Sequence, residues 1–181
     1  MRIIAGQWRG RPLSAPKDRT IRPTTDRIRE ALFSKLQAMN AIAGVAVLDC
    51  FAGTGALGYE ALSRGAASLT SIEKAPSSIS LIKTNQQALG ATLTLIRQDA
   101  TKLGQCSTAG GFGLIFLDPP YDKGMVPPCL SALRAGNWIA ANAVIVIETD
   151  KRETLVLPDG FDEVDERVYG DTRLTFVNAS V

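Results

Sequence analysis

The residues Asp118-Pro119-Pro120-Tyr121 directly follow an apolar run at 114–117. The two prolines fix an extended backbone and remove two N–H donors, which leaves a carboxylate and a directed carbonyl, both of them acceptors. Such a pair suits a planar NH₂ group. An exocyclic amine on a nucleobase is a poor nucleophile, because its lone pair is delocalised into the ring. Acceptors at Asp118 and at the Pro119 carbonyl can hold its two hydrogens and favour the pyramidal nitrogen of a transition state. Pro120 keeps the segment rigid, and Tyr121 can stack on the base.

A second constellation lies upstream, where the apolar run 45–48 ends at Asp49 and a glycine turn, Gly53-Thr54-Gly55-Ala56-Leu57-Gly58, leads into a helix expected over 56–64. Glycines let a ligand approach the main chain closely, and the helix start offers N–H groups to an anion. Glu73 ends the next strand-like segment, 68–72, twenty residues beyond Gly53, which is the spacing for gripping a ribose. Gly53-x-Gly55-x-x-Gly58 matches the dinucleotide fingerprint, which raises an NAD(P) oxidoreductase. In that fingerprint, however, the first glycine closely follows the strand, whereas here Asp49 and three further residues come first. Asp49 would also set negative charge near a pyrophosphate. An acid at that point suits a ligand with a cationic group, and S-adenosylmethionine carries an ammonium, a sulfonium and a carboxylate. Asp49 is expected to meet the ammonium, the helix start the carboxylate, and Glu73 the ribose.

Cofactor contacts are assigned along the turn to Asp49, Phe51, Ala52, Gly53, Thr54, Gly55 and Gly58. At the following strand ends they are assigned to Glu73, Lys74, Asp99 and Ala100. Asp99 has two readings, a partner for the adenine amino group or a surface acid capping a turn.

These groups need a scaffold that brings several strand ends together. Strand-like segments, alternating at 68–72 and 92–96 and apolar at 114–117 and 143–147, are interleaved with helical patterns at 76–89 and 125–137. This alternation predicts a doubly wound α/β fold with a mostly parallel sheet and helices on both faces. Segments 161–168 and 173–177, joined by Tyr169-Gly170-Asp171-Thr172, predict an antiparallel C-terminal hairpin. Residues 2–14 suggest a small hairpin. Thr24-Thr25-Asp26 reads as the start of a helix whose apolar face carries Ile28, Ala31, Leu32 and Leu36, with Arg22, Arg27 and Arg29 on or near the other side. The chain is read as a single domain over 1–181, with a basic N-terminal arm and helix at 1–38 and a catalytic core at 44–181.

Net charge is only +2, but residues 1–35 hold nine Lys/Arg against three Asp/Glu, and residues 36–181 hold eleven against fifteen. A basic arm of +6 beside a body of −4 suits contact with phosphate. Arg9 and Arg11 flank Gly10 beside Trp8, and Arg and Trp can also stack on bases. Histidine is absent and the three cysteines have no metal-type spacing, which argues against a metal centre. The apolar segments are too short to span a bilayer and the N-terminal residues do not read as a signal peptide, so a cytoplasmic protein with reduced thiols is expected.

The glycine turn and Asp118-Pro119-Pro120-Tyr121 together look like the S-adenosylmethionine-dependent amino-methyltransferases of nucleic acids. Arg9-Gly10-Arg11, followed by Arg22-Pro23-Thr24-Thr25-Asp26-Arg27-Ile28-Arg29-Glu30-Ala31-Leu32-Phe33, resembles the RsmD family, the bacterial 16S rRNA guanine-N2 methyltransferases. The resemblance covers nearly the whole chain. It implies a seven-stranded sheet and, as substrate, one guanine of 16S rRNA in the small ribosomal subunit or an assembly intermediate. S-adenosylhomocysteine would be the product, and a monomer is expected. RNA contacts are assigned to Arg9, Arg11, Arg22, Arg27 and Arg29. A DNA adenine-N6 or cytosine-N4 enzyme would share the chemistry but would normally need a separate target-recognition region. A non-catalytic RNA-binding module would leave the glycine turn and Asp-Pro-Pro-Tyr unused.

Overall fold

The computed structural model describes residues 1–16, 25–120 and 123–180. Seven strands form one sheet: β1 (Ala46–Cys50), β2 (Ser68–Ile72), β3 (Thr94–Ile96), β4 (Phe112–Leu117), β5 (Ile139–Asp150), β6 (Phe161–Tyr169) and β7 (Thr172–Ala179). Their order across the sheet is β3-β2-β1-β4-β5-β7-β6. The first five pair in parallel, and β7 runs antiparallel between β5 and β6. This is the doubly wound, mostly parallel sheet that the alternation of elements predicts, with the seven strands that the resemblance implies, and its order is that of a class I Rossmann-like fold. From β1 the chain winds outward through β2 and β3, then returns to the other side of β1 as β4. The crevice for a ligand in such a sheet lies at that reversal, outside the carboxyl ends of the strands.

Among the described residues four α-helices cover the faces: α1 (Asp26–Ala38), α2 (Ala56–Ser63), α3 (Pro76–Leu89) and α4 (Val126–Ala135). Thr25 caps α1, accepting the Ile28 N–H through its hydroxyl. Ile28, Leu32, Phe33 and Leu36 of α1 join Tyr59 of α2 and Ile82 of α3 in one apolar layer, while Cys129, Leu130 and Leu133 of α4 sit in the other. The Phe33 ring packs at a 51° tilt against Phe116 of β4, centroids 5.8 Å apart, which ties α1 to the strand that leads into Asp118.

The expected N-terminal hairpin forms, with Ile3 donating to Arg11 O and Gly10 to Ile3 O, each at 2.9 Å. It docks on α2 through the fully buried Glu60, which accepts the N–H groups of Ile4 at 2.8 Å and Ala5 at 3.1 Å and pairs with Arg64. Gly6 lies against the Ser63 carbonyl so closely that a Cβ there would fall 1.8 Å from the oxygen, so only glycine permits this docking.

The strand β5 is longer than the expected 143–147. Its polar end, Glu148, Thr149 and Asp150, is held as strand by pairing with Leu174, Arg173 and Thr172 of β7, and not by its own apolar character. β1 extends through Asp49 to Cys50 for a similar reason, since both residues pair with β2 and β4. No helix among the described residues is long and apolar enough to cross a membrane.

Candidate active site

Register decides which side chains meet at the crevice. On β1 and β4, Asp49 lies opposite Phe116 and Cys50 opposite Leu117; on β4 and β5, Leu117 lies opposite Ile147. The next residues, Asp118 just past β4 and Glu148 within β5, therefore lie side by side. Asp118 is half-buried and Pro119 is buried, while Pro120 is exposed. Burial pushes the Asp118 carboxyl well above the usual carboxylate range, and the charges of Glu148 and then Asp49 push it the same way. Tyr121 lies outside the described residues.

Asp49 is 1% exposed, and its Oδ2 accepts the Gly58 N–H at 3.1 Å. Burial raises its pKa to about 7; the Gly58 hydrogen bond opposes that rise and the charge of Glu73 adds to it. The turn above it has left-handed backbone at Phe51 (φ 64°), Gly53 (φ 56°) and Gly55 (φ 79°). Its three glycines do different work. A Cβ on Gly58 would lie 2.7 Å from Leu69, and one on Gly55 would lie 2.6 Å from the Tyr59 ring, so both permit close packing of α2. A Cβ on Gly53 would meet only the Phe51 carbonyl, at 3.9 Å, so this glycine faces the open side of the turn. Ala52 is buried and donates its N–H to Ile72 O at 3.1 Å. Thr54 turns its carbonyl to Asn85 of α3 at 3.0 Å and its hydroxyl to Met1 Sδ at 3.8 Å, which anchors the turn from behind.

Glu73, just past β2, reaches this turn. Its Oε2 accepts the Gly53 N–H at 2.9 Å, and its Oε1 accepts those of Lys74 and Ala75, each at 2.8 Å. Beyond β3, Asp99 caps the short 3-10 turn Ala100–Lys102, accepting from Thr101 N at 3.0 Å and Thr101 Oγ1 at 2.7 Å. Its other oxygen pairs with Lys74 Nζ at 3.1 Å. The Thr101 hydrogen bonds, then Lys74, hold its pKa down to about 2. Of the two readings of Asp99, the capping geometry is present; Ala100 beside it is buried.

The chemistry of this donor set fits S-adenosylmethionine. Asp49, Glu73 and Asp118 crowd three carboxyl groups into one crevice; burial first, and then the neighbouring acids, oppose ionisation of Asp49 and Asp118, and a cationic ligand favours their charged forms. The open side of Gly53, next to the Glu73 carboxylate, gives such a ligand a place to approach the backbone. Glu148, 3% exposed, is a member of this acid group that the sequence reading of the site did not include. The signal was available: β1, β4 and β5 all run from apolar residues into an acid, at Leu48-Asp49, Leu117-Asp118 and Ile147-Glu148.

The arginines divide. Arg9 and Arg27 are exposed and, with Arg2, line a cleft of about 380 Å³ between the hairpin and α1, together with Asp26 and Glu30. Arg11 is exposed and donates to the Ala88 carbonyl at the end of α3. The expectation for Arg29 is corrected. It is 1% exposed and turned inward, donating to Arg2 O and to Asp26 Oδ1, each at 2.7 Å, so its guanidinium fastens the hairpin to α1 and cannot meet RNA from that position. The apolar face of α1 is wide enough to include position 29, because Phe33 one turn later also faces inward. Arg22 lies outside the described residues. Among the described residues no cluster of His, Cys, Asp or Glu is arranged to hold a metal.

A family profile described as "Conserved hypothetical protein 95" matches residues 1–178. Ribosomal RNA small subunit methyltransferase D of Haemophilus influenzae is 37% identical over 174 residues, covering 94% of this chain and 89% of that protein. The protein of the same name from Escherichia coli K12 is 39% identical over 173 residues, covering 94% and 85%. The solved structure of yhhF, a methyltransferase candidate from Escherichia coli, superposes with a TM-score of 0.84 at 32% identity, covering 100% of this chain and 98% of the other. The chain belongs to the ribosomal RNA small subunit methyltransferase D (RsmD) family.

Proposed function

We propose that this protein methylates the exocyclic N2 amine of one guanine in 16S rRNA, with S-adenosylmethionine as donor. The observation that carries the reading is the position of Asp118 and buried Pro119, which leave β4 at the point where the sheet reverses, beside Asp49 and within the same crevice as Glu73. The cofactor, when bound, supplies an electrophilic methyl group. Gly53, on the open side of the turn, and Glu73 are the residues to hold its ribose side, Asp49 its ammonium, and Asp99 with Ala100 its adenine. Phe51, Ala52, Thr54, Gly55, Gly58 and Lys74 shape that cradle.

The remaining chemistry belongs to the chain's own groups. The Asp118 carboxylate and the Pro119 carbonyl accept the two hydrogens of the guanine amine and draw its lone pair out of the ring plane. As the nitrogen gains a bond it becomes acidic, and Asp118, whose proton affinity is raised by burial and by its acidic neighbours, takes the proton. Tyr121, as the residue after the rigid Pro119-Pro120 step, supplies a stacking face. Arg9, Arg11, Arg22 and Arg27 supply contacts to the RNA backbone, which offset the few kcal/mol or so needed to unstack the target base. The reading takes the whole chain, 1–181, as one catalytic unit that works as a monomer in the cytoplasm on small-subunit particles.

The test is transfer of labelled methyl from S-adenosylmethionine to small ribosomal subunit particles from cells lacking the protein, followed by mapping of the modified base. Label at a single guanine N2 is the expected result. Label on adenine N6 or cytosine N4, or acceptance of DNA in place of ribosomal particles, would overturn the reading.

A further inference from the structure

At the outer edge of the sheet, α3 and β3 enclose a groove of about 350 Å³ lined by Pro76, Ile79, Ser80, Lys83, Leu95 and Arg97. Ile79 and Leu95 are half-buried and make an apolar floor, and Lys83 and Arg97 stand exposed on its walls. Both ionisable residues of the groove are thus cations, although residues 36–181 carry a net charge of −4. Among the described residues, neither Lys83 nor Arg97 takes part in an ion pair. Nothing in the proposed chemistry uses them.

The groove is continuous with two features already described. At one end, Pro76 follows Glu73 by three residues and Arg97 precedes Asp99 by two, so the groove opens beside the proposed cofactor cradle. Along α3, the N-terminal arm is tied down within a turn or two of Lys83. Ser14 donates to Asn85 Oδ1 at 2.7 Å, Asn85 Nδ2 donates back to Ser14 O at 3.1 Å, and Arg11 donates to the Ala88 carbonyl. Arg11 is thus a further cation held against α3, the helix that carries Lys83.

We infer that this groove takes a single-stranded segment of the RNA substrate, with a base on the Ile79–Leu95 floor and backbone phosphates at Lys83 and Arg97. Apolar surface between two cations matches the two faces of an unpaired nucleotide, which offers a flat base and a charged backbone. A duplex keeps its base faces stacked inside and would leave the floor unused. The inference rests on the RNA reading above, and it adds a second RNA contact to that of the arm.

The experiment is a salt series of affinity for small ribosomal subunit particles, comparing wild type with K83A/R97A and with Ser80→Lys, alongside S-adenosylhomocysteine binding as a control for the fold. All three positions are exposed, so the variants should fold. The double variant should bind five- to tenfold more weakly at low salt, with its slope reduced by about 1.4 for two single-strand phosphate contacts, while Ser80→Lys should bind more tightly. A photo-crosslinker at Ser80 should capture RNA. Parallel salt lines of equal affinity, or capture of ribosomal protein alone, would overturn the groove while leaving the methyltransferase reading intact. A wild-type protein that binds S-adenosylhomocysteine but no ribosomal particle would instead remove the RNA reading, and the groove with it.

Discussion

Glu73 accepts the backbone N–H of Gly53 at 2.9 Å, so the residue proposed to hold the ribose also fastens the glycine turn that shapes the crevice. Its carboxylate takes two more N–H groups, from Lys74 and Ala75. Glu73→Ala should therefore do two things at once. S-adenosylhomocysteine affinity should drop by about tenfold or more, as expected for charge-assisted bonds of roughly 1.5–3 kcal/mol each. The melting temperature should also fall, because three N–H groups lose their acceptor. Glu73→Gln keeps one carbonyl acceptor and should recover part of the stability but little of the affinity. Calorimetric titration beside thermal melting separates the two effects, and unchanged affinity in Glu73→Ala would remove the ribose role.

Asp49 makes stability depend on pH in a direction opposite to that of a salt-bridged carboxylate. Its pKa in the folded protein is raised to about 7 by burial. Between pH of about 4 and about 7 the native state keeps a proton that the unfolded chain has released, so stability falls as pH rises through that window and levels off above it. Full ionisation costs on the order of 4 kcal/mol through this one group. Asp118, raised in the same direction, adds to the slope. Asp49→Asn should flatten the profile between pH 5 and 7 in denaturant titrations. A cationic ligand at Asp49 favours the ionised form, so S-adenosylhomocysteine affinity of the wild type should rise with pH up to about 7 and then plateau, with proton release seen by calorimetry in buffers of different ionisation heat. Pairing to Asp49 would be ruled out if affinity were flat across this range in wild type and Asp49→Asn alike.

Asp118→Asn separates catalysis from stability. The amide replaces an acceptor with a group that also donates, and it cannot take the amine's proton. Turnover should fall on the order of 10²-fold or more, as when one transition-state hydrogen bond is removed, with S-adenosylhomocysteine affinity retained. Because burial and the charges of Glu148 and Asp49 oppose ionisation of Asp118, the same variant should be more stable than wild type at pH 8. A near-wild-type single-turnover rate, or lower stability at pH 8, would contradict the account.

Much of this site was legible because strand ends announce themselves. Asp49 and Asp118 each close an apolar run and Glu73 an alternating one, and the doubly wound topology follows from the alternation of such strand-like runs with helices. What stayed hidden depends on register and on the third dimension. Glu148 joins Asp118 only because Leu117 pairs with Ile147, a relation between residues thirty positions apart. The length of β5 comes from its β7 partner, and the inward turn of Arg29 comes from the hairpin carbonyl that receives it. Asp99 was ambiguous in sequence because a cap and a ligand contact call for the same residue type at the same place.

Arg27 and Arg29, two residues apart on α1, should fail in different ways. Arg27 is exposed on the cleft it shares with Arg9, so Arg27→Ala should leave the melting temperature within a degree or so while weakening binding to ribosomal particles and lowering the salt slope by about 0.7–0.9, one phosphate contact. Arg29 is buried, and its guanidinium holds the Arg2 carbonyl and Asp26. Arg29→Ala loses two hydrogen bonds to a charged group, each worth about 1.5–3 kcal/mol at most given that Asp26 is half-exposed. It should therefore lower stability by several degrees and loosen the hairpin. Its RNA affinity should fall as well, but through the arm: under conditions where the variant stays folded, the salt slope should drop in step with the loss of Arg9 and Arg11 contacts, by more than the single contact of Arg27→Ala. Melting curves and salt-dependent affinity on the two variants decide this. Equal slopes and equal melting temperatures for both would mean that Arg29 meets RNA directly and that its buried position is not the working one.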